Sequence, residues 1–399
     1  MEDREWMRET EEVNMIKLQF PDLWGRLKSV EIPGNRKEAL ERCPISVESK
    51  TVLGENFQDR TRFFLKPDWE TRLTMTWEAG AGETAGVICS LTDADGRAAW
   101  CDSREILKQT LRRLREEGLS FQIRLGCEFF LFHTDEEARA TAVTHDTAGC
   151  CDGGAIDLAE SIRRDMAAGL LEAGISIEYT AHAEAPGQHF FCLEAREALQ
   201  AADEFQAFQA AVKRIAKSRG LHASFMPRPL NSCVGSSLIL DLIPQPVSGE
   251  CMEEKQSLVN RAARYLRGCL GELALVTNPT VNSYRRLAAM GDEKKYPEML
   301  VEETEEGICF NMADPSANLY LALAAVLSAG FFEQQGMCLE AGLPSSFLEA
   351  SELFSRSAGM RRLMGNQLFS FYRDRKTEEW KRFSAWVTDW EIREYLSKY

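Results

Sequence analysis

The sequence predicts an α+β protein, with a small β-rich unit followed by a larger unit of mixed strands and helices. Three observations carry this expectation. The first hundred residues hold short β-branched runs bounded by Gly, Pro or Asp. From Ser103 onward, apolar residues recur at helical spacing. Strand-like and helix-like segments then alternate, and the final third is mostly helical. The expected units are residues 12–100 and 103–399.

In the first unit, V-N-M-I-K-L-Q-F (13–20), L-K-S-V-E-I-P (27–33) and T-A-G-V-I-C-S-L-T (84–92) are predicted strands, and T-D-A-D-G (92–96) is a turn. Residues 103–118 place Ile106, Leu107, Leu111 and Leu114 on one helical face and close on Gly118, a helix-ending residue. I-R-L-G-C-E-F-F-L-F (123–132) reads as a buried strand. A helix over 157–174 ends in Gly174 and leads into the strand I-S-I-E-Y-T-A (175–181). A further helix over 202–220 precedes F-M-P-R-P-L (225–230). The helical final third includes N-L-Y-L-A-L-A-A-V-L-S-A-G (318–330) and a tail whose Trp380, Trp386 and Trp390 are expected to be packing anchors.

Composition narrows the function classes. The chain has 399 residues, 44% of them hydrophobic, which is ample for a large core. Its net charge of −15 argues against nucleic acid as a partner, because phosphate binding needs clustered Lys and Arg. No apolar run of about 18 residues exists, so no membrane span is expected. The acidic start, M-E-D-R-E-W-M-R-E-T-E-E, lacks the apolar core of a signal peptide, and a cytoplasmic location is expected. The twelve cysteines include one adjacent pair, Cys150-Cys151, and no C-x-x-C. Reduced thiols serving as small apolar residues fit better than disulfides or a zinc site.

One stretch suggests chemistry. A-H-A-E-A-P-G-Q-H-F-F (181–191) centres on a P-G-Q turn with His182 and His189 on either side and Glu184 between them. His and Glu could rim a metal site, yet His189 runs into Phe190 and Phe191, poor neighbours for a hydrated ion.

The order of motifs resembles the glutamine synthetase family almost end to end. The matching segments are D-L-W-G-R-L-K-S-V-E-I-P (22–33), F-L-K-P-D (64–68), E-F-F-L-F (128–132), A-P-G-Q-H (185–189), F-M-P-R-P-L (225–230), N-P-T-V-N-S-Y-R-R-L (278–287) and D-P-S-A-N-L-Y-L-A-L-A-A (314–325). The tail E-W-K-R-F-S-A-W-V-T-D-W-E-I-R-E-Y-L (379–396) also resembles the family's last helix. The resemblance implies a β-grasp N-terminal domain and a catalytic-type domain on a curved antiparallel sheet. It implies stacked rings of subunits, with each site shared between neighbours. It also implies ATP-driven joining of a carboxylate to an amine, with Mg²⁺ held by carboxylates and a His.

Against the family's motifs, the ligand positions of this chain are largely replaced. In the family's E-x-E-F-F strand, Glu128 matches the second metal carboxylate and Gly126 stands for the first. In H-E-V-A-P-G-Q-H-E, the two ligand positions hold Ala183 and Phe190. In N-G-S-G-M-H, the substrate-loop Gly235 is kept and Ile239 replaces the His. Cys309 and Asn311 occupy the family's E-x-R. Residues 288–310 contain no Arg and seven acids, where the family carries anion-binding arginines. The neighbour-contributed D-G-S-S matches Val47-Glu48-Ser49-Lys50, and Arg62 replaces an acid before L-K-P-D.

The expectation is therefore a catalytically degenerate relative, acting as an oligomeric binding or regulatory component. It would form a homo-oligomer, or a hetero-oligomer with an active homologue, and need no cofactor. Glu128 would be a vestigial metal residue and Gly235 a vestigial substrate residue. The alternative is an active ligase using ATP and Mg²⁺ at a site rearranged from His182, Glu184, His189 and Glu128, with His182 and Glu184 sharing a strand face. A purely structural oligomer is the third expectation.

Overall fold

The computed structural model describes residues 13–40, 42–55, 57, 60–78, 82–246, 252–290, 296–332 and 342–399. The acidic start (1–12) lies outside the described residues, as does Cys338.

The first sheet contains β1 (Met15–Pro21), β2 (Leu27–Pro33), β3 (Ser46–Glu48), β4 (Arg62–Pro67), β5 (Leu73–Thr74) and β6 (Thr84–Thr92). Its order is β2-β1-β6-β4-β3, with β5 also on β6. β1 and β6 run parallel and the other pairs are antiparallel. Alternate residues Ile16, Leu18 and Phe20 are buried, as the two-residue period of a one-sided sheet requires.

The second sheet is built around β7 (Leu119–Thr134) and includes β8 (Ala140–Thr144), β9 (Ile177–His182), β10 (Gln188–Glu197), β11 (Leu221–Ser224), β12 (Leu238–Pro246), β13 (Val301–Glu303) and β14 (Ile308–Phe310). The path runs β13-β14-β12-β7-β10-β9, with β11 and β8 also pairing with β7. Odd-numbered β7 residues from Phe121 to Leu131 join the main hydrophobic core beneath the helices. Even-numbered ones, Gln122 to Phe132, face the other way. Helix Leu319–Phe331, every residue of which is buried, packs against helices Met252–Thr277 and Ser103–Glu116.

Helix Ser103–Glu116 starts where Asp102 accepts hydrogen bonds from the Arg104 and Glu105 amides, and its chain reverses at Gly118 with φ +82°. Three boundaries differ from expectation by three residues or more. The predicted strand 123–132 extends to 119–134, because the alternation continues past both ends. The helix predicted from 157 begins at Glu160, since Asp157 instead folds back onto Ala159 N–H and Arg163. The helix predicted from 202 begins at Ala198, directly after β10. In the tail, Trp380 stacks on Phe347, but Trp386 and Trp390 are 75% and 60% exposed. Those two are not packing anchors within this chain, because the segment past Ser384 leaves the helical body. All ten described cysteines are free, and Cys89, Cys101, Cys127, Cys192 and Cys269 are buried as small apolar residues. Among the described residues, no helix is long and apolar enough to cross a membrane.

Candidate functional site

Strand register decides which of the predicted residues meet. Glu128 lies opposite Phe190, and Gly126 lies opposite both Cys192 and Ile239. Residues directly opposite share a face, as do residues two apart. Gly126, Glu128, Phe190 and Ile239 therefore gather on one side of the sheet. The fit is close: a Cβ on Gly126 would lie 2.8 Å from Phe190 Cζ and 3.3 Å from Ile239 Cβ. The Phe190 ring thus covers the space a longer side chain at 126 would enter. Ala183, also a position the resemblance assigns to a carboxylate, is buried and donates its N–H to the Gln188 carbonyl. An ion of the Mg²⁺ class needs several oxygen ligands, and an aromatic ring with a branched alkyl group supplies none. The residues at this place do not fit the metal.

Glu128 and Gly235 have structural work of their own. Glu128 Oε2 accepts the Ser237 N–H at 2.7 Å, while the Glu128 N–H donates to the Ser237 carbonyl. Arg286 donates to Ser237 Oγ at 3.1 Å and to Asn278 Oδ1 at 3.0 Å. Burial lowers the Arg286 pKa, opposed by the charges of Asp314 and Glu128. The carboxylate thus braces the loop ahead of β12 and offsets a buried guanidinium. A Cβ on Gly235 would lie 2.3 Å from Arg286 Cγ and 2.4 Å from the Pro227 carbonyl. Only glycine allows that approach. Packing alone accounts for its retention.

The two histidines of the P-G-Q turn lie on the opposite face. His189 is opposite Phe129 and His182, one residue out of phase with Glu128. β9 ends at His182, so Glu184 falls in the turn, where it is exposed while His182 is buried. The expected grouping of His182, Glu184, His189 and Glu128 does not exist, and His182 and Glu184 share no face. The residue that joins the histidines is Asp146, from the loop after β8. Sequence reasoning missed it because it is 36 positions from its partner and no periodicity marks it.

Asp146, His182 and His189 are buried, with ligand-type atoms within 4.8 Å of one another. Hydrogen bonding shows where the protons are. His182 Nδ1 meets the Ala183 carbonyl at 2.9 Å and Nε2 meets Asp146 Oδ1 at 2.9 Å, so both ring nitrogens donate. Burial disfavours the cation, but the bonds to Asp146 and Ala183 outweigh it and raise the His182 pKa. His189 Nδ1 lies 3.1 Å from an Arg163 nitrogen that can only donate, which leaves the His189 proton on Nε2. Burial, then the Arg163 and His182 charges, push His189 down to about 3 and keep it neutral. Arg163 is itself held by Asp157. On this protonation no histidine lone pair is free, although the His189 Nε2–H and Asp146 Oδ2 find no hydrogen-bond partner among the described residues, and a guanidinium adjoins the cluster. The group is a pair of buried ion pairs, Asp146–His182 and Asp157–Arg163, rather than a rearranged cation site.

The remaining positions are also committed. Arg62 donates to Ser46 Oγ at 2.9 Å, and Lys50 pairs with Glu48 at 2.9 Å. The acidic segment 288–310 contributes β13, at the edge of the second sheet, and its neighbour β14, with Asp292 to Lys295 outside the described residues. Its Glu306 meets Arg124 at 2.8 Å, where Glu178 and Asp241 also converge. Cys309 lies opposite Asp241 on the same face.

Comparison with known proteins places this architecture. The profile of the glutamine synthetase catalytic domain matches residues 100–333. A glutamine synthetase of Clostridium saccharobutylicum is 31% identical, covering 97% of this chain and 96% of its own. One of Staphylococcus epidermidis is 30% identical over 98% of this chain and 97% of its own. Among solved structures, apo GmaS without ligand superposes with a TM-score of 0.83 at 22% identity, and Plasmodium falciparum glutamine synthetase does so with 0.83 at 15%, each covering 98% of both chains. These structures share the α+β fold expected from the sequence. By profile match and by near full-length identity to curated relatives, this chain belongs to the glutamine synthetase family.

Proposed function

We propose that this chain is a family member without metal-dependent ligation, acting as an oligomeric binding or regulatory component of nitrogen or amine metabolism in the cytoplasm. The observation that carries this reading is the closure over Gly126: Phe190 and Ile239, at two further positions the resemblance assigns to metal ligands, pack onto the space of a third. The one retained carboxylate, Glu128, is bonded to the Ser237 backbone instead. Glu128 and Gly235 are, on this reading, vestiges of metal and substrate positions, in a C-terminal unit (103–399) that follows a β-grasp unit (12–100). Two exposed tryptophans near the C-terminus, Trp386 and Trp390, support an assembly with copies of this chain or with an active relative.

Titration calorimetry with millimolar Mg-ATP is expected to give no magnesium-dependent heat. Saturable, magnesium-dependent binding would instead support a working ATP-dependent ligase. Native mass spectrometry of the chain alone, and mixed with an active glutamine synthetase of the same cell, separates a homo-oligomer from a regulatory partner.

A further inference from the structure

A second feature lies away from the sheet face described above. Between β1, β2 and helix Ala198–Ser218 runs a cleft of about 1620 Å³. Eight Lys and Arg side chains line it against five carboxylates, in a chain of net charge −15. Several of these charges are already matched: Lys17 with Glu78 at 2.7 Å, Lys28 with Asp22 at 3.8 Å, Lys376 with Glu379 at 3.0 Å. Arg26 and Lys213 form no ion pair among the described residues. They sit close enough that Arg26 adds to the burial effect lowering the Lys213 pKa, and Lys213 in turn adds to burial in lowering that of His222. The Lys213 ammonium lies over the Phe225 ring, 5.1 Å from its centroid.

One further side chain points to a ligand. Gln206 is two helical turns before Lys213, hence on the same face of that helix. It lines the cleft, is 1% exposed, and neither atom of its amide has a hydrogen-bond partner among the described residues. A buried amide left unmatched costs about 1–3 kcal/mol unless something in the cleft completes it. Arg26 also feels the Asp22 carboxylate, but two cations acting on each other in one cleft are further relieved by an anion between them.

We infer that this cleft binds a small multivalent oxyanion, with Arg26 and Lys213 supplying the charge and Gln206 an amide donor. The ligand class is a phosphate- or carboxylate-bearing metabolite, and the site shares no residue with the face that holds Gly126 and Phe190.

Thermal unfolding of the full chain tests this, with pyrophosphate or citrate titrated at constant ionic strength. The melting temperature is expected to rise saturably, and Arg26→Gln and Lys213→Gln are each expected to raise the half-saturating concentration about tenfold. Gln206→Leu should weaken the response while leaving the charges in place. Arg139→Gln, on the exposed β7–β8 turn, should respond as wild type. A response to pyrophosphate alone identifies phosphate as the recognised group, and a response to both assigns oxyanion charge. No saturable rise with either anion, or the same rise in wild type, Arg26→Gln and Lys213→Gln, would overturn the inference.

Discussion

At the residue scale, one contact and one charge cluster decide the character of the second sheet. Gly126 and Phe190 are complementary, so their substitutions should not add. Gly126→Ala is expected to cost about 1 kcal/mol, because the new methyl displaces the ring. In a Phe190→Ala background the same change should be neutral or stabilising by a few tenths of a kcal/mol, since alanine loses less backbone entropy than glycine on folding. Urea unfolding of the four proteins in the cycle checks this, and additivity would refute the contact. The histidines predict a stability maximum with two causes. His182 has a raised folded-state pKa, so its contribution is complete below about pH 6.5 and lost as pH rises through that higher value. His189, at about 3, is depressed. The unfolded chain binds its proton below about pH 6.5, and stability falls from there toward pH 3. His189→Gln should flatten the acid limb of a stability–pH curve and leave the alkaline limb unchanged.

At the element scale, segments specified by local pattern were legible in the sequence. β2 and β6 lie where β-branched runs and flanking turn residues predict them. Helix Ser103–Glu116 ends where Gly118 stops it. What was not legible depends on partners brought together from a distance. A continued two-residue period puts Glu184 on the His182 face, but β9 ends at His182 and the turn breaks that period. Asp146 carries no mark of its role, since its value comes from a histidine on another strand. Residues 126, 190 and 239 read in the sequence as three separate departures from the family's motifs, but their mutual packing depends on the strand register. Near the C-terminus, helix Ala358–Ser384 breaks at Gly365, with φ 72° and ψ 161°, a conformation that side-chain-bearing residues rarely adopt. Gly365→Ala is expected to destabilise by about 1–3 kcal/mol despite the higher helix propensity of alanine. Circular dichroism during denaturation reads this directly, and a stabilised variant would show the break to be dispensable.

At the scale of the whole molecule, Arg104 joins the first sheet to the helices. Its guanidinium takes both oxygens of Asp203, at 2.9 and 2.6 Å, and reaches Asp68 just beyond β4 at 2.9 Å. Tyr320 from the buried helix donates to the same Asp203 at 2.7 Å. Removing one partner leaves buried charge unmatched, so Arg104→Leu should cost about 3–5 kcal/mol. Arg104→Lys should recover only part of this, because an ammonium cannot reproduce the two-pronged geometry. A loss below about 1 kcal/mol in denaturant unfolding would show that the first sheet and the helices are held together without this arginine.

The ring over Gly126 also couples positions that lie far apart in the sequence. Placing an acid at 126 drives it into Phe190, and placing one at 190 sets it opposite Glu128, carboxylate against carboxylate. Each such step is penalised until the others are made, so these positions are free to change only together, not one substitution at a time.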